Sequence, residues 1–226
     1  MESGHELSPW YFFGLACLIM IALAVFAALS TRRLQKIPSS RNQNFVELMV
    51  SSLNNFVVGI IGPKGEKYTP FIGTLFIYIL CMNLLGLIPG FKSPTSSLSI
   101  TASLALLVYV VYNVAGIMET GFRSWFMHFV GEPLWLAPLM FPIHVIGDIA
   151  RPVSLAIRLY GNIFGEETII AILASMSPFL IKHFIAVPVQ WPMMIFSIFT
   201  AFVQAMVFSM LTAIYISIAI TGHEAH

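Results

Sequence analysis

Apolar residues in this chain gather in long runs that contain no Asp, Glu, Lys or Arg: Leu7–Thr31, Tyr68–Phe91, Ser93–Met118, Pro133–Gly147, Thr168–Ile181 and His183–His223. About 20 such residues span the hydrocarbon core of a bilayer. The first three runs therefore each predict one spanning helix, over 7–31, 70–90 and 96–119. The fourth is too short to cross and carries Pro133, Pro138 and Pro142, which predicts a separate interfacial segment over 133–144. From 145 to 175 the pattern allows one helix of about 45 Å. That exceeds a core of about 30 Å, so this helix must tilt. The last run, beyond Pro188 and Pro192, is too short for two crossings and a turn and predicts one long helix over 189–220. Between the first two runs, Phe45, Leu48, Met49, Ser52, Phe56 and Ile60 recur at helical spacing. This predicts an amphipathic helix over 41–62 on the membrane surface. The expected fold is a single all-α integral membrane domain, 1–226. It has about five transmembrane helices and one interfacial helix, the last two spans long, tilted and packed as a hairpin.

Composition supports a membrane solvent. Hydrophobic residues make up 58% of the 226 positions and charged residues 9%, against about 25% charged in soluble domains. The net charge of +1 gives no basis for nucleic-acid binding. Cys17 and Cys81 lie in apolar runs without partners at metal-ligand spacing and read as packing residues. The residues before the first run hold Glu2 and Glu6 rather than a basic region, so that run is expected to be a retained helix and not a cleaved signal. Residues 32–67 hold six Lys/Arg against two Glu. The positive-inside rule places them in the cytoplasm, with the N-terminus outside and, after five crossings, the C-terminus in the cytoplasm.

The candidate chemistry is a polar seam. Arg158 lies inside an apolar stretch, and a guanidinium stays charged at any physiological pH. A charge near the centre of a bilayer helix costs about 2.5–3.5 kcal/mol on insertion scales, so Arg158 is a functional residue that must meet an anion. Ser154, Arg158 and Asn162 are four residues apart and share one stripe, with Arg151 a turn before them. Arg151 is expected to snorkel to the headgroups. At 100° per residue, Glu166 lies about 80° from the Arg158 direction and Glu167 about 180° from it. Glu167 therefore faces a second aqueous path. Both are about 12 Å along the helix from Arg158, too far for a direct ion pair. His144 and Asp148 form an i, i+4 pair that could pass a proton or hydrogen-bond to each other. In the last run, Gln204 is the strongest polar residue, with Ser197 two turns earlier on nearly the same face. Gln204 either reaches the Arg158 helix or makes a bundle hydrogen bond of about 1 kcal/mol.

Other chemistries find no residues. Gly62-Pro63-Lys64-Gly65-Glu66-Lys67 lacks the spacing and the hydroxyl of a phosphate loop, so no nucleotide site is indicated. Only His144 approaches a place where a membrane haem ligand would stand, and no cofactor or metal is expected. Lys92, Lys182, His183 and the aromatic turn around His128 read as interface anchors.

The segment Arg151-Pro152-Val153-Ser154-Leu155-Ala156-Ile157-Arg158-Leu159-Tyr160-Gly161-Asn162 closely resembles subunit a of the F-type ATP synthases. Asn83-Leu84-Leu85-Gly86-Leu87-Ile88-Pro89-Gly90 and Phe202-Val203-Gln204-Ala205-Met206-Val207-Phe208 resemble two further helices of that family, in the right order. The resemblance implies a proton-conducting stator subunit with two offset half-channels, with Na⁺ as an alternative ion. It is not an enzyme by itself. Its implied partners are the c-ring, the peripheral-stalk b subunits and the bilayer of a bacterial inner membrane. It also implies that Arg158 faces the c-ring carboxylates, that Asn162, Glu167 and Gln204 line the ion path, and that Ser154 lies near the cytoplasmic half-channel. Many members carry His where this chain has Ser197, and some carry Glu where it has His144. Glu166 is therefore a candidate to share the work of Glu167. The competing reading, a membrane subunit of a redox-driven pump, predicts charged residues through the middle of the first three helices. They have none.

Overall fold

The computed structural model describes residues 9–31, 41–88, 91–123, 125–126, 137–183 and 190–221. Its helices are α1 (Pro9–Thr31), α2 (Arg41–Ile61), α3 (Thr69–Leu85), α4 (Leu98–Thr120), α5 (Ala137–His183) and α6 (Gln190–Thr221), with 3-10 turns at Pro63–Tyr68 and Pro94–Ser96. All six helices are long and apolar enough to cross a membrane by length and composition. That includes α2, so its position on the surface is a matter for proposal. The termini, Arg32, Arg33, Lys36 and His128 lie outside the described residues.

Local chemistry sets several boundaries. Gly62, at φ 87°, ends α2 and donates its N–H to the Val58 carbonyl at 2.8 Å. Gly121, at φ 82°, ends α4 with a bond to the Ile117 carbonyl at 3.0 Å. Only glycine takes such backbone angles without strain. Proline opens both 3-10 turns and the first turn of α3, where the missing N–H has no helical partner to lose.

The long helix differs from the expectation. Residues 137–144 do not form a separate segment but continue into α5 without a break; residues 133–136 lie outside the described residues. Pro138, Pro142, Pro152 and Pro178 all sit within α5. A membrane bundle tolerates such prolines because neighbouring groups satisfy the freed carbonyls. At 47 residues α5 is about 70 Å long, over twice the hydrocarbon thickness, which strengthens the requirement for tilt.

The helix α4 packs against both α5 and α6, α3 packs against α6, and α5 packs against α6; α2 lies on α3 and α6, and α1 on α3 and α4. The interior holds Ile72, Ile79 and Met82 of α3, Val108 of α4, Leu155 and Leu159 of α5, and Phe208 and Ile216 of α6. Small residues bring backbones close. A Cβ on Gly116 of α4 would meet the Ala219 methyl of α6 at 3.4 Å, the close approach typical of membrane helices. The outer surface is apolar: Phe26, Met118, Ile146, Ile195 and Phe199 are all exposed. Water-soluble monomers seldom expose so much apolar area, whereas lipid accepts it. In α2, Phe45 and Leu48 are exposed while Val57 and Ile61 are buried in the core. One end of the amphipathic helix therefore joins the bundle.

Candidate functional site

Two turns of α5 carry the seam. Ser154, Arg158 and Asn162 are all exposed on the outward side of α5, while Leu155 and Leu159 on its other side are buried. Among the described residues no carboxylate lies within ion-pair distance of the Arg158 guanidinium. The adjacent helix supplies a fixed neighbour. Asn162 Nδ2 donates to Gln204 Oε1 at 2.7 Å. Gln204 is 4% exposed and its Nε2 has no hydrogen-bond partner among the described residues, leaving one donor of the pair unsatisfied.

The acidic residues gather further along α5. Glu167 Oε1 accepts the backbone N–H of Ser93 at 2.9 Å. Behind that bond runs a chain of polar side chains. Ser93 Oγ donates to the Met82 carbonyl and lies 2.6 Å from Thr95 Oγ1, which donates to Asn83 Oδ1 at 2.7 Å. The close approach of Ser93 depends on Gly86, where an added Cβ would lie 2.8 Å from the Ser93 Cβ. Glu166 turns toward Ser197 and Thr200 of α6; Ser197 is buried, and its Oγ has no geometrically satisfactory hydrogen bond. Glu166, Glu167, Asn83, Ser93 and Ser197 line one partly open cavity, with room for about one water molecule. The two glutamates thus line one cavity, although their directions on the helix differ.

Asp148 and Arg151 occupy another environment. Asp148 is buried, and its Oδ1 accepts the Tyr112 hydroxyl of α4 at 2.7 Å and lies 3.5 Å from Arg151 Nη1. The Arg151 guanidinium stands 5.6 Å from the ring centre of Tyr215 on α6. Arg151 is therefore tied into the bundle, contrary to the expected reach to the headgroups, because a carboxylate and an aromatic face lie within range of its stem. His144 lies one turn before Asp148 and is half-buried. No group of three or more His, Cys, Asp or Glu with metal-site geometry occurs among the described residues.

Sequence reasoning did not assign Asn83, Ser93, Thr95 or Tyr112 to any site. Asn83 alone carried a signal, as an amide within an otherwise apolar run.

These features define a helical membrane protein with a cation on its outer face that has no ion-pair partner among the described residues, and a partly open cavity lined by two glutamates about two turns beyond. The ATP synthase A chain family matches residues 12–217. Among similar proteins, ATP synthase subunit a 1 of Syntrophotalea carbinolica is 44% identical over 93% of this chain and 85% of its own length. ATP synthase subunit a of Trichlorobacter lovleyi is 43% identical over 92% and 85%, and that of Geobacter sulfurreducens 40% over 92% and 86%. The chain belongs to the ATP synthase A chain family.

Proposed function

We propose that Arg158 is the cation past which rotor carboxylates move, and that the cavity of Glu166 and Glu167 is the proton entry on the extracytoplasmic side. Family membership makes the chain a proton-translocating membrane-sector subunit, not a catalytic subunit by itself. The observation that carries the site reading is the exposed guanidinium of Arg158, without an ion-pair partner among the described residues, beside the Asn162–Gln204 pair. The redox-pump alternative has no such support.

The mechanism follows from charge. A carboxylate arriving beside Arg158 is held ionised, because a nearby positive charge stabilises the anion. To leave into lipid it must first be protonated, since a bare charge there is too costly. Arg158 thus divides two aqueous approaches, and protons cross only as the carboxylates move. On one side Glu167, with Glu166 and Ser197 beside it, hands protons toward Asn162 and Gln204. On the other, Ser154 and His144 line the cytoplasmic approach. Asp148 is left out of this path because Tyr112 and Arg151 hold its carboxylate. A proton crossing 100 mV yields about 2.3 kcal/mol, and successive crossings drive the rotor.

The partners in this reading are a ring of carboxylate-bearing c subunits against the Arg158 face and b subunits of the peripheral stalk. The setting is a bacterial inner membrane with the N-terminus outside, the C-terminus inside and α2 along the cytoplasmic surface. A cysteine at Ile157, exposed beside Arg158, in a chain lacking Cys17 and Cys81, should form a disulfide with a cysteine next to the rotor carboxylate. Absence of that cross-link in the assembled complex, with a lipid-facing α1 cysteine as control, would overturn the docking face.

A further inference from the structure

The seam of α5 carries two guanidiniums, and the structure treats them oppositely. Arg151 precedes Arg158 by seven residues, which places it about 10 Å along the axis and about 20° from the same direction. An anion passing along the outward stripe would therefore meet two permanent cations, and neither can lose its charge by deprotonation. Arg158 has no ion-pair partner among the described residues. Arg151 has one, Asp148 at 3.5 Å, and is drawn toward the Tyr215 ring.

We propose that Asp148 is a charge mask. It neutralises Arg151, so that Arg158 is the one uncompensated cation of the seam. This rests on the reading of Arg158 given above. Asp148 suits the task because it is 8% exposed and is fixed by the Tyr112 hydroxyl. The groups facing it are tyrosines, Tyr109 and Tyr112 on α4, with Tyr215 of α6 packed against Tyr112. Arg151 is the guanidinium beside it, at 3.5 Å, and His144 lies one turn earlier on α5. Asp148 Oδ2 has no hydrogen bond, and a buried carboxylate in that state is stabilised chiefly by a neighbouring charge.

The consequence is local to the Arg151 side of the barrier, where a rotor carboxylate must complete its protonation before entering lipid. A second free guanidinium there would favour the ionised form and delay that step. Asp148 is in this sense a positioning residue: it acts on the rotor through Arg151 and carries no proton itself.

The test is ATP-driven proton pumping by inverted vesicles containing the whole complex, with the amount of assembled complex measured in parallel. Asp148→Asn keeps the size of the side chain and the acceptor for Tyr112 but removes the charge, and should lower pumping about tenfold, equivalent to about 1.4 kcal/mol. Adding Arg151→Gln should restore it, a reversal that neither a packing role nor a proton-carrying role of Asp148 would give. Tyr112→Phe removes the bond that fixes Asp148 but keeps the charge pair, and should lower pumping much less than Asp148→Asn. Full pumping by Asp148→Asn, or a loss that Arg151→Gln does not relieve, would overturn the proposal. Failure of both the single and the double variant to assemble would also overturn it, by assigning Asp148 to packing. Arg158→Ala, run alongside, separates the two readings. Pumping by that variant defeats the role of Arg158, whereas its loss beside a fully active Asp148→Asn defeats only the mask.

Discussion

Asn162 on α5 donates its amide to Gln204 on α6 at 2.7 Å, one helical turn beyond Arg158. The bond fixes the register of the two long helices at the point where the exposed cation stands. Gln204→Leu removes the acceptor and leaves Asn162, which is solvent- or lipid-exposed, free to turn away. The cost in stability should be small, about 1 kcal/mol. The loss of ATP-driven proton pumping should be about tenfold or more, because the polar bridge beside Arg158 is gone. Equal losses of assembled complex and of pumping would make the bond structural only.

Glu166 and Glu167 line one cavity, so they should share proton transfer. Glu167→Gln keeps the acceptor for the Ser93 N–H but cannot carry a proton, and should slow passive proton flow through rotor-engaged complexes about tenfold. Glu166→Gln alone should do less, and the double variant should approach the loss of about a hundredfold expected when a general acid–base is removed. Measurement of proton flux with the gradient imposed from the extracytoplasmic side checks this. Unchanged flux in Glu167→Gln would move the role to Glu166.

Gly86→Ala should act on the same path from a distance. Its Cβ would fall 2.8 Å from that of Ser93, so the loop must shift and the Ser93 N–H must leave Glu167. Reduced flux with intact assembly is expected, and normal flux would show that the Ser93 bond to Glu167 is dispensable.

Much of this architecture was legible because charge is so rare in the chain. The helices expected over 7–31, 70–90, 96–119 and 189–220, from runs nearly free of ionisable residues, overlap α1, α3, α4 and α6. The long helix was misread at its start because Pro138 and Pro142 count as breakers in water, where a freed carbonyl has no helical neighbour to meet it. The seam of Ser154, Arg158 and Asn162 could be read because its residues are one turn apart. The Ser93 contact to Glu167 spans 74 residues and the Tyr112 contact to Asp148 spans 36. No local periodicity encodes such pairings, and a backbone N–H has no signature in sequence at all. Arg151 was misplaced in part for the same reason: Asp148 stands only three residues before it on α5, but the Tyr215 ring of α6 is brought to it by the fold.

Phe208 is fully buried between the helices, so Phe208→Ala should destabilise the subunit by about 3–5 kcal/mol. Assembled complex should fall in proportion, without change in pumping per complex that survives. A specific pumping defect at normal abundance would instead place Phe208 in the ion path.

The central claim concerns the exposed guanidinium of Arg158, and ATP-driven acidification of inverted vesicles by Arg158→Ala tests it most directly. The account predicts no acidification from a complex that still assembles and still hydrolyses ATP at its soluble sector. Acidification at the unsubstituted rate would contradict it.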